Sequence, residues 1–268
     1  MILTGTAGGG KSTLMEVFEN VIGPLNVYEL RTAHLHERFE QARFIQKTVL
    51  TGKDVPGDFL EQEGAHVIKK LVGHDLLSAE KKGSNADIPF VGNFGVGITC
   101  NSRLRVRLDG DDNAWERRLM IVKYAKPKPK QRILNLADYL MKQEAAGILR
   151  WMVDGAIEHL RECDANGDYR LTAEQTDHVV QLLAESDSLR LFVIDCIQES
   201  QDGSDLSTTE IISAYFDYCA ERKWAPFPSK RAERNLADLM LEIHHSARGT
   251  HVMRGDKRVN GYRNVELS

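Results

Sequence analysis

Residues Gly5 to Ser12 read G-T-A-G-G-G-K-S, with Thr13 next, and this octet fixes the path of the chain more tightly than any other stretch. Before it, Met1, Ile2, Leu3 and Thr4 form a short apolar run suited to a strand. After it, Leu14, Val17, Phe18, Val21 and Ile22 recur at helical spacing. A strand must therefore turn sharply into a helix through a run of glycines. Gly5, Gly8, Gly9 and Gly10 allow the backbone to curl with several N–H groups facing inward. The helix that follows points its N-terminus at whatever the loop encloses. The spacing is G-x-x-x-x-G-K-[ST], a phosphate-binding P-loop. Lys11 is placed to reach outer phosphates, and Ser12, beside Thr13, to hold Mg²⁺. The expected cofactors are ATP and Mg²⁺.

The motif stands at the extreme start of the sequence, so a strand that normally lies mid-sheet has almost no chain before it. The reading is of an N-terminally short domain, from a fragment of a longer protein or a trimmed product. A chain of 268 residues with 42% hydrophobic content supports one large core or two smaller ones. Net charge is −4, so contact with nucleic acid must come from local patches. Cys100, Cys163, Cys196 and Cys219 are scattered with no C-x-x-C pair, which argues against a zinc cluster or disulfide framework and for a reducing, cytoplasmic location. No apolar run reaches transmembrane length, and no membrane partner is expected. From Arg161 to Glu210 there are twelve acids and three bases, whereas from His244 onward five bases face two acids. That asymmetry marks separate modules.

Residues 1 to about 126 alternate strands and helices. Thr48–Leu50, Val96–Cys100 and Leu119–Val122 read as strands and Asp58–Leu71 as a helix. The pattern predicts an α/β domain with a parallel sheet. Lys126-Pro127-Lys128-Pro129-Lys130 is a stiff connector. Residues 127–186 form a helical lid or connector. Asp164-Ala165-Asn166-Gly167-Asp168 has its glycine misplaced for a calcium loop and reads as a helix-ending turn. Residues 187–268 read helix, helix, helix, hairpin. Ser207 and Glu210 form a capping box, and Gly255-Asp256 makes the hairpin turn. This predicts a C-terminal winged-helix domain. Lys230, Arg231 and Arg234 open its third helix, and Arg254, Lys257, Arg258 and Arg263 decorate its wing. Such a basic face binds duplex DNA or docks a protein partner, and the reading favours DNA.

A P-loop needs a carboxylate at a neighbouring strand end to organise the metal. Asp54, after Val49-Leu50-Thr51-Gly52-Lys53, is the candidate, with Asp58 and Glu61 close behind. Asn101, ending the Val96–Cys100 strand, is placed to orient water. Arg117 and Arg118 offer an arginine finger given to a neighbouring subunit's nucleotide.

An ordered set of motifs then emerges. It comprises G-T-A-G-G-G-K-S-T, L-x-x-R-F-E at Leu35–Glu40, K-D-V-P-G-D-F-L at Lys53–Leu60 and K-K-L-V-G-H-D at Lys69–Asp75. A-E-K-K-G at Ala79–Gly83, T-C-N-S at Thr99–Ser102 and A-W-E-R-R at Ala114–Arg118 complete it. Over residues 1 to about 125 this resembles the superfamily III helicase domain of phage, plasmid and poxvirus-type helicase–primases, a branch of the AAA+ ATPases. The resemblance implies that Lys11 and Ser12 serve as Walker A, Asp54 as Walker B, Asn101 as sensor and Arg117 or Arg118 as finger. Lys69, Lys70, Lys81 and Lys82 fall where the family carries its DNA-tracking hairpin. It implies a hexameric ring translocating on single-stranded DNA. Gly73-His74-Asp75 departs from the two glycines usual before that aspartate. A replication initiator or regulator, using ATP to assemble on DNA with little unwinding, is the alternative.

Overall fold

The computed structural model describes residues 1–81, 83, 87–108, 112–126, 129–131, 133–167 and 170–268. The chain divides into two compact units, Met1–Leu183 and Ala184–Ser268.

The first unit is built around a five-stranded sheet. β1 (Ile2–Gly5) is followed by α1 (Lys11–Ile22), β2 (Val27–Glu29) and β3 (Val49–Gly52). Then come α2 (Ala65–Val72), the hairpin strands β4 (Leu76–Glu80) and β5 (Asp87–Val91), β6 (Gly95–Cys100), the one-turn α3 (Asp112–Glu116) and β7 (Ile121–Tyr124). The main sheet has the order β2-β3-β6-β1-β7, and every neighbouring pair in it is parallel. This is the parallel sheet that the alternating pattern predicts. β1 is covered on both edges, and its Ile2 and Leu3 are 3% and 1% exposed. The core gathers Leu50, Ile98, Cys100 and Ile121 from the sheet around Phe44, Phe59 and Leu71. Each such apolar side chain contributes about 1.5–3 kcal/mol by leaving water.

The helix expected over Asp58–Leu71 forms only in its second half. Phe59 and Leu60 are buried apolar residues at helical spacing, but their backbone is committed elsewhere. Leu60 bridges Val106 in parallel, and the Gly57 and Leu60 carbonyls accept the N–H groups of Arg105 and Arg107. A tertiary ladder overrides the local period.

α4 (Leu136–Asn166) is a 31-residue helix. It ends where Gly167 takes a positive φ of 75° and donates its N–H to the Cys163 carbonyl. The stretch from Asp164 to Gly167 is thus a helix stop, as its misplaced glycine predicts, and residue 168 lies outside the described residues. Residues 127 and 128 of the predicted connector also lie outside them. Among the described residues no helix is long and apolar enough to cross a membrane. α5 (Ala173–Ser186) runs across the division between the units.

The second unit contains α6 (Ser188–Cys196), β8 (Ile197–Glu199), β9 (Leu206–Ser207), α7 (Thr208–Glu221) and α8 (Ser229–His244). β10 (Gly249–Arg254), β11 (Lys257–Tyr262) and β12 (Val265–Leu267) close the chain. β10, β11 and β9 form an antiparallel sheet, and β12 pairs with β8. Tyr215 anchors the helices: its buried hydroxyl meets Ser188 Oγ and accepts the Phe227 N–H. Burial pushes its pKa up to about 12.

The predicted capping box at α7 is present. Glu210 N–H donates to Ser207 Oγ, and the Glu210 carboxylate accepts the Ser207 N–H. Arg254 then clamps the same carboxylate from the hairpin. The Arg254 hydrogen bond leads the causes that hold Glu210 from its ordinary 4.5 down to about 2. A depressed carboxylate stabilises the fold above its unfolded value and loses that contribution as pH falls through the folded one. Thermal melts are therefore expected to show stability falling between about pH 4.5 and 2, and Glu210→Gln to flatten the profile in that window.

Candidate nucleotide site and basic surfaces

The chain leaves the sheet at Gly5, where φ is +111° and a Cβ would stand 2.5 Å from the Tyr124 carbonyl oxygen. Gly8 and Gly10 also take positive φ, 75° and 94°. α1 opens directly behind this curl with no side-chain cap and no acid in its first turn. Its orphan N–H groups and positive dipole end are left for an anion. Lys11 is only 3% exposed. Its ammonium donates to the carbonyls of Gly5 (2.9 Å) and Thr6 (2.8 Å). Among the described residues no carboxylate pairs with it. A buried ammonium held by neutral carbonyls alone is poorly compensated.

The strand register places the other predicted residues at the same carboxyl edge. Thr4 of β1 lies beside Cys100 of β6, and Gly52 of β3 beside Ile98. Asp54 follows with φ +51°, a left-handed position that aspartate tolerates better than most residues. Its N–H donates to Thr99 Oγ1 at 2.9 Å, and Asn101 Nδ2 donates to Asp54 Oδ1 at 2.8 Å. Lys53, which interrupts the approach to Asp54 in sequence, is drawn aside by Glu19 of α1 at 2.6 Å. Thr51 Oγ1 donates to the same carboxylate. The buried Cys100 thiol is pushed up by burial, with the Lys11 charge opposing and the Asp54 and Asp58 charges adding to it. Lys11, Asp54 and Asp58 thus lie close enough to the end of β6 for their charges to act on this thiol. Among the described residues no group of three or more histidines, cysteines or carboxylates could hold a metal alone. Ser12, at the opening of α1, and Asp54, just beyond β3, carry oxygen donors of the kind Mg²⁺ takes.

The two arginines differ. Arg118 donates to the carbonyls of Ala114 (3.0 Å) and Lys69 (3.3 Å), closing the last turn of α2. Arg117 is exposed, and among the described residues nothing holds its guanidinium. The lysines also separate. Lys69 and Lys70 sit in the last turn of α2, not on the β4–β5 hairpin, and the Lys69 ammonium lies 5.2 Å over the Trp115 ring. Lys81 follows β4 directly at the hairpin and is exposed; Lys82 lies outside the described residues. His74, which replaces a glycine of the resembling pattern, takes φ +58°.

Beside the P-loop, α1 and α4 enclose an open cavity of about 490 Å³. Gly10, Thr13, Leu14 and Val17 line one side, and Leu140, Ile148 and Trp151 the other. Its size lies in the range of small-ligand pockets. The sequence shows the helices but not this cavity, because the register of α4 against α1 is a tertiary choice; Phe18 and Trp151 stack at 6.3 Å there.

Residues 3–118 match a family described as "Family of unknown function (DUF5906)". No curated protein matches the chain. Among solved structures the chain is similar to the A form apo structure of the NrS-1 C-terminal region, at 11% identity and a TM-score of 0.46, covering 97% of this chain and 65% of that one. It is more distantly similar to Drosophila ORC bound to DNA, at 12% identity and a TM-score of 0.27, covering 98% of this chain and 78% of that one. For the Aeropyrum pernix ORC1 protein in complex with DNA the values are 12% and 0.25, with 99% and 82% covered. The chain spans 65% of the length of the NrS-1 region it matches.

In the second unit, Lys230 of α8 and Lys257 and Arg258 of β11 are exposed. Arg231 lies 4.5 Å over the Phe227 ring. Arg254, expected on a DNA-facing wing, is instead occupied by Glu210 and the Asp205 carbonyl. It braces α7.

Proposed function

We propose that the chain is an ATP-driven module acting on single-stranded DNA, working as a hexameric ring in the replication of a phage, plasmid or other mobile element. The observation that carries this is the buried, anion-seeking Lys11 ammonium inside a glycine curl, with Asp54 and Asn101 joined at the next strand ends. ATP with Mg²⁺ supplies the phosphoanhydride whose hydrolysis does the work. Lys11 and the loop N–H groups hold its phosphates, and Ser12 and Asp54 hold the metal. Asn101, fixed against Asp54, orients the attacking water. Arg117, the unoccupied arginine, reaches a neighbour's nucleotide and offsets the charge that develops there. Lys81 on the β4–β5 hairpin grips the DNA backbone, and the three helices and hairpin of the second unit act as a winged helix on duplex DNA through Lys230, Lys257 and Arg258.

The test is the ATP hydrolysis rate with and without single-stranded DNA. Stimulation by the strand is expected. ATP binding with negligible turnover, unchanged by DNA, would overturn the motor and leave an assembly factor.

In this reading the cavity between α1 and α4 takes the base. Trp151→Ala is expected to weaken ATP binding about tenfold, the usual worth of one stacked base, without lowering the rate at saturation. A nucleotide titration checks it.

A further inference from the structure

Glu19 stands about two turns behind Lys11 on α1. Its carboxylate serves two residues at and just past the end of β3. Thr51 Oγ1 donates to Oε1 and Lys53 Nζ to Oε2, each at 2.6 Å. Thr51 is 4% exposed, and a buried hydroxyl needs a partner. That need explains one of the two carboxylate oxygens. Lys53 is exposed, and an ammonium in water gains little from an ion pair. Packing therefore accounts for Thr51 and leaves the lysine unexplained.

Lys53 precedes Asp54 directly. Asp54 is exposed, and the Asn101 amide takes only its Oδ1. Among the described residues no side chain takes Oδ2. Asp58, also exposed, stands four residues on. A lysine ammonium rides on a flexible four-carbon stem. Released beside these carboxylates, it is drawn to the nearest of them and offsets its charge. Mg²⁺ binds through carboxylate oxygens and tolerates little distortion, so an ammonium on Oδ2 competes with it directly.

We propose that Glu19 is a positioning residue that keeps Lys53 off Asp54, so that this carboxylate stays open to the divalent cation of the nucleotide site. The proposal rests on the ATP-binding reading above and adds a residue that reading does not use. The helix that opens at Lys11 thereby also sets the charge beyond the end of β3.

The test is the affinity of the full chain for a fluorescent, non-hydrolysable ATP analogue, followed by anisotropy across a Mg²⁺ series and in EDTA. Glu19→Gln keeps an acceptor for Thr51 and removes the charge that draws Lys53. It is expected to need about fivefold more Mg²⁺ for half-maximal tightening, the weight of one exposed ion pair, with affinity in EDTA unchanged. Lys53→Met alone should leave the Mg²⁺ requirement unchanged, and a rise there overturns the proposal. The double variant E19Q/K53M should return to the requirement of the unaltered chain. A rise in E19Q that K53M does not reverse means that Glu19 only packs α1 on β3, and overturns the proposal; so does an unchanged requirement in E19Q. If E19Q does not melt cooperatively, the shorter Glu19→Asp, which cannot span both partners, takes its place with the same readings. If the unaltered chain binds no analogue, or binds it without regard to Mg²⁺, the nucleotide-site reading itself fails and takes the proposal with it.

Discussion

Lys11→Ala is expected to lower ATP hydrolysis at least a hundredfold, the usual effect of deleting one preorganised charge at a reacting centre. Lys11 is 3% exposed, and its ammonium meets two carbonyls of the loop. In that dry setting its attraction for a phosphate is weakly screened. Removing it also leaves the Gly5 and Thr6 carbonyls without their donor. Lys11→Arg should fare little better, because the Nζ sits 2.8–2.9 Å from both carbonyls and a guanidinium is bulkier. The check is single-turnover hydrolysis together with a thermal melt. A fold that still melts cooperatively while hydrolysis disappears is the expected pair of results; retained hydrolysis would remove Lys11 from the site.

The second large effect separates two adjacent residues. Arg117→Ala should lower hydrolysis about a thousandfold or more, the usual worth of a finger arginine, with ATP binding and melting unchanged. Arg118→Ala should act on the fold instead. It deletes the donor to the Ala114 and Lys69 carbonyls, a loss of roughly 1–3 kcal/mol that appears as a lower melting temperature. Mixing offers a sharper test. Lys11→Ala chains combined with Arg117→Ala chains should regain hydrolysis, since one supplies the finger and the other the P-loop. Full-rate hydrolysis by a monomer would sink the idea of a finger given across subunits.

Several elements are legible in sequence because their causes are local. β1, β3, β6 and β7 are short apolar runs, and the capping box at α7 needs only Ser207 and Glu210. β2 escapes because Val27–Glu29 is three residues long and lies at the sheet edge. The first half of the helix expected over Asp58–Leu71 fails because its carbonyls serve residues more than forty positions away. The candidate site divides in the same way. The P-loop is a contiguous pattern, whereas the meeting of Asp54 with Asn101 spans 47 residues and depends on a left-handed turn at Asp54. Nothing local distinguishes Arg117 from Arg118 either, since the difference lies in where the end of α2 passes.

β6 runs between β1 and β3, and beyond Asn101 the chain alternates between buried Leu104, Val106 and Leu108 and the more exposed Arg103, Arg105 and Arg107. In an extended chain, sliding by one residue exchanges the two faces. A one-step slip here would send Leu104, Val106 and Leu108 into water and drag three arginines into the core. The stretch from Gly95 to Leu108 cannot creep along its neighbours in small increments. Any stroke it delivers must come as a tilt or swing of the whole segment, so what happens at one end is felt at the other as a change of angle rather than of register.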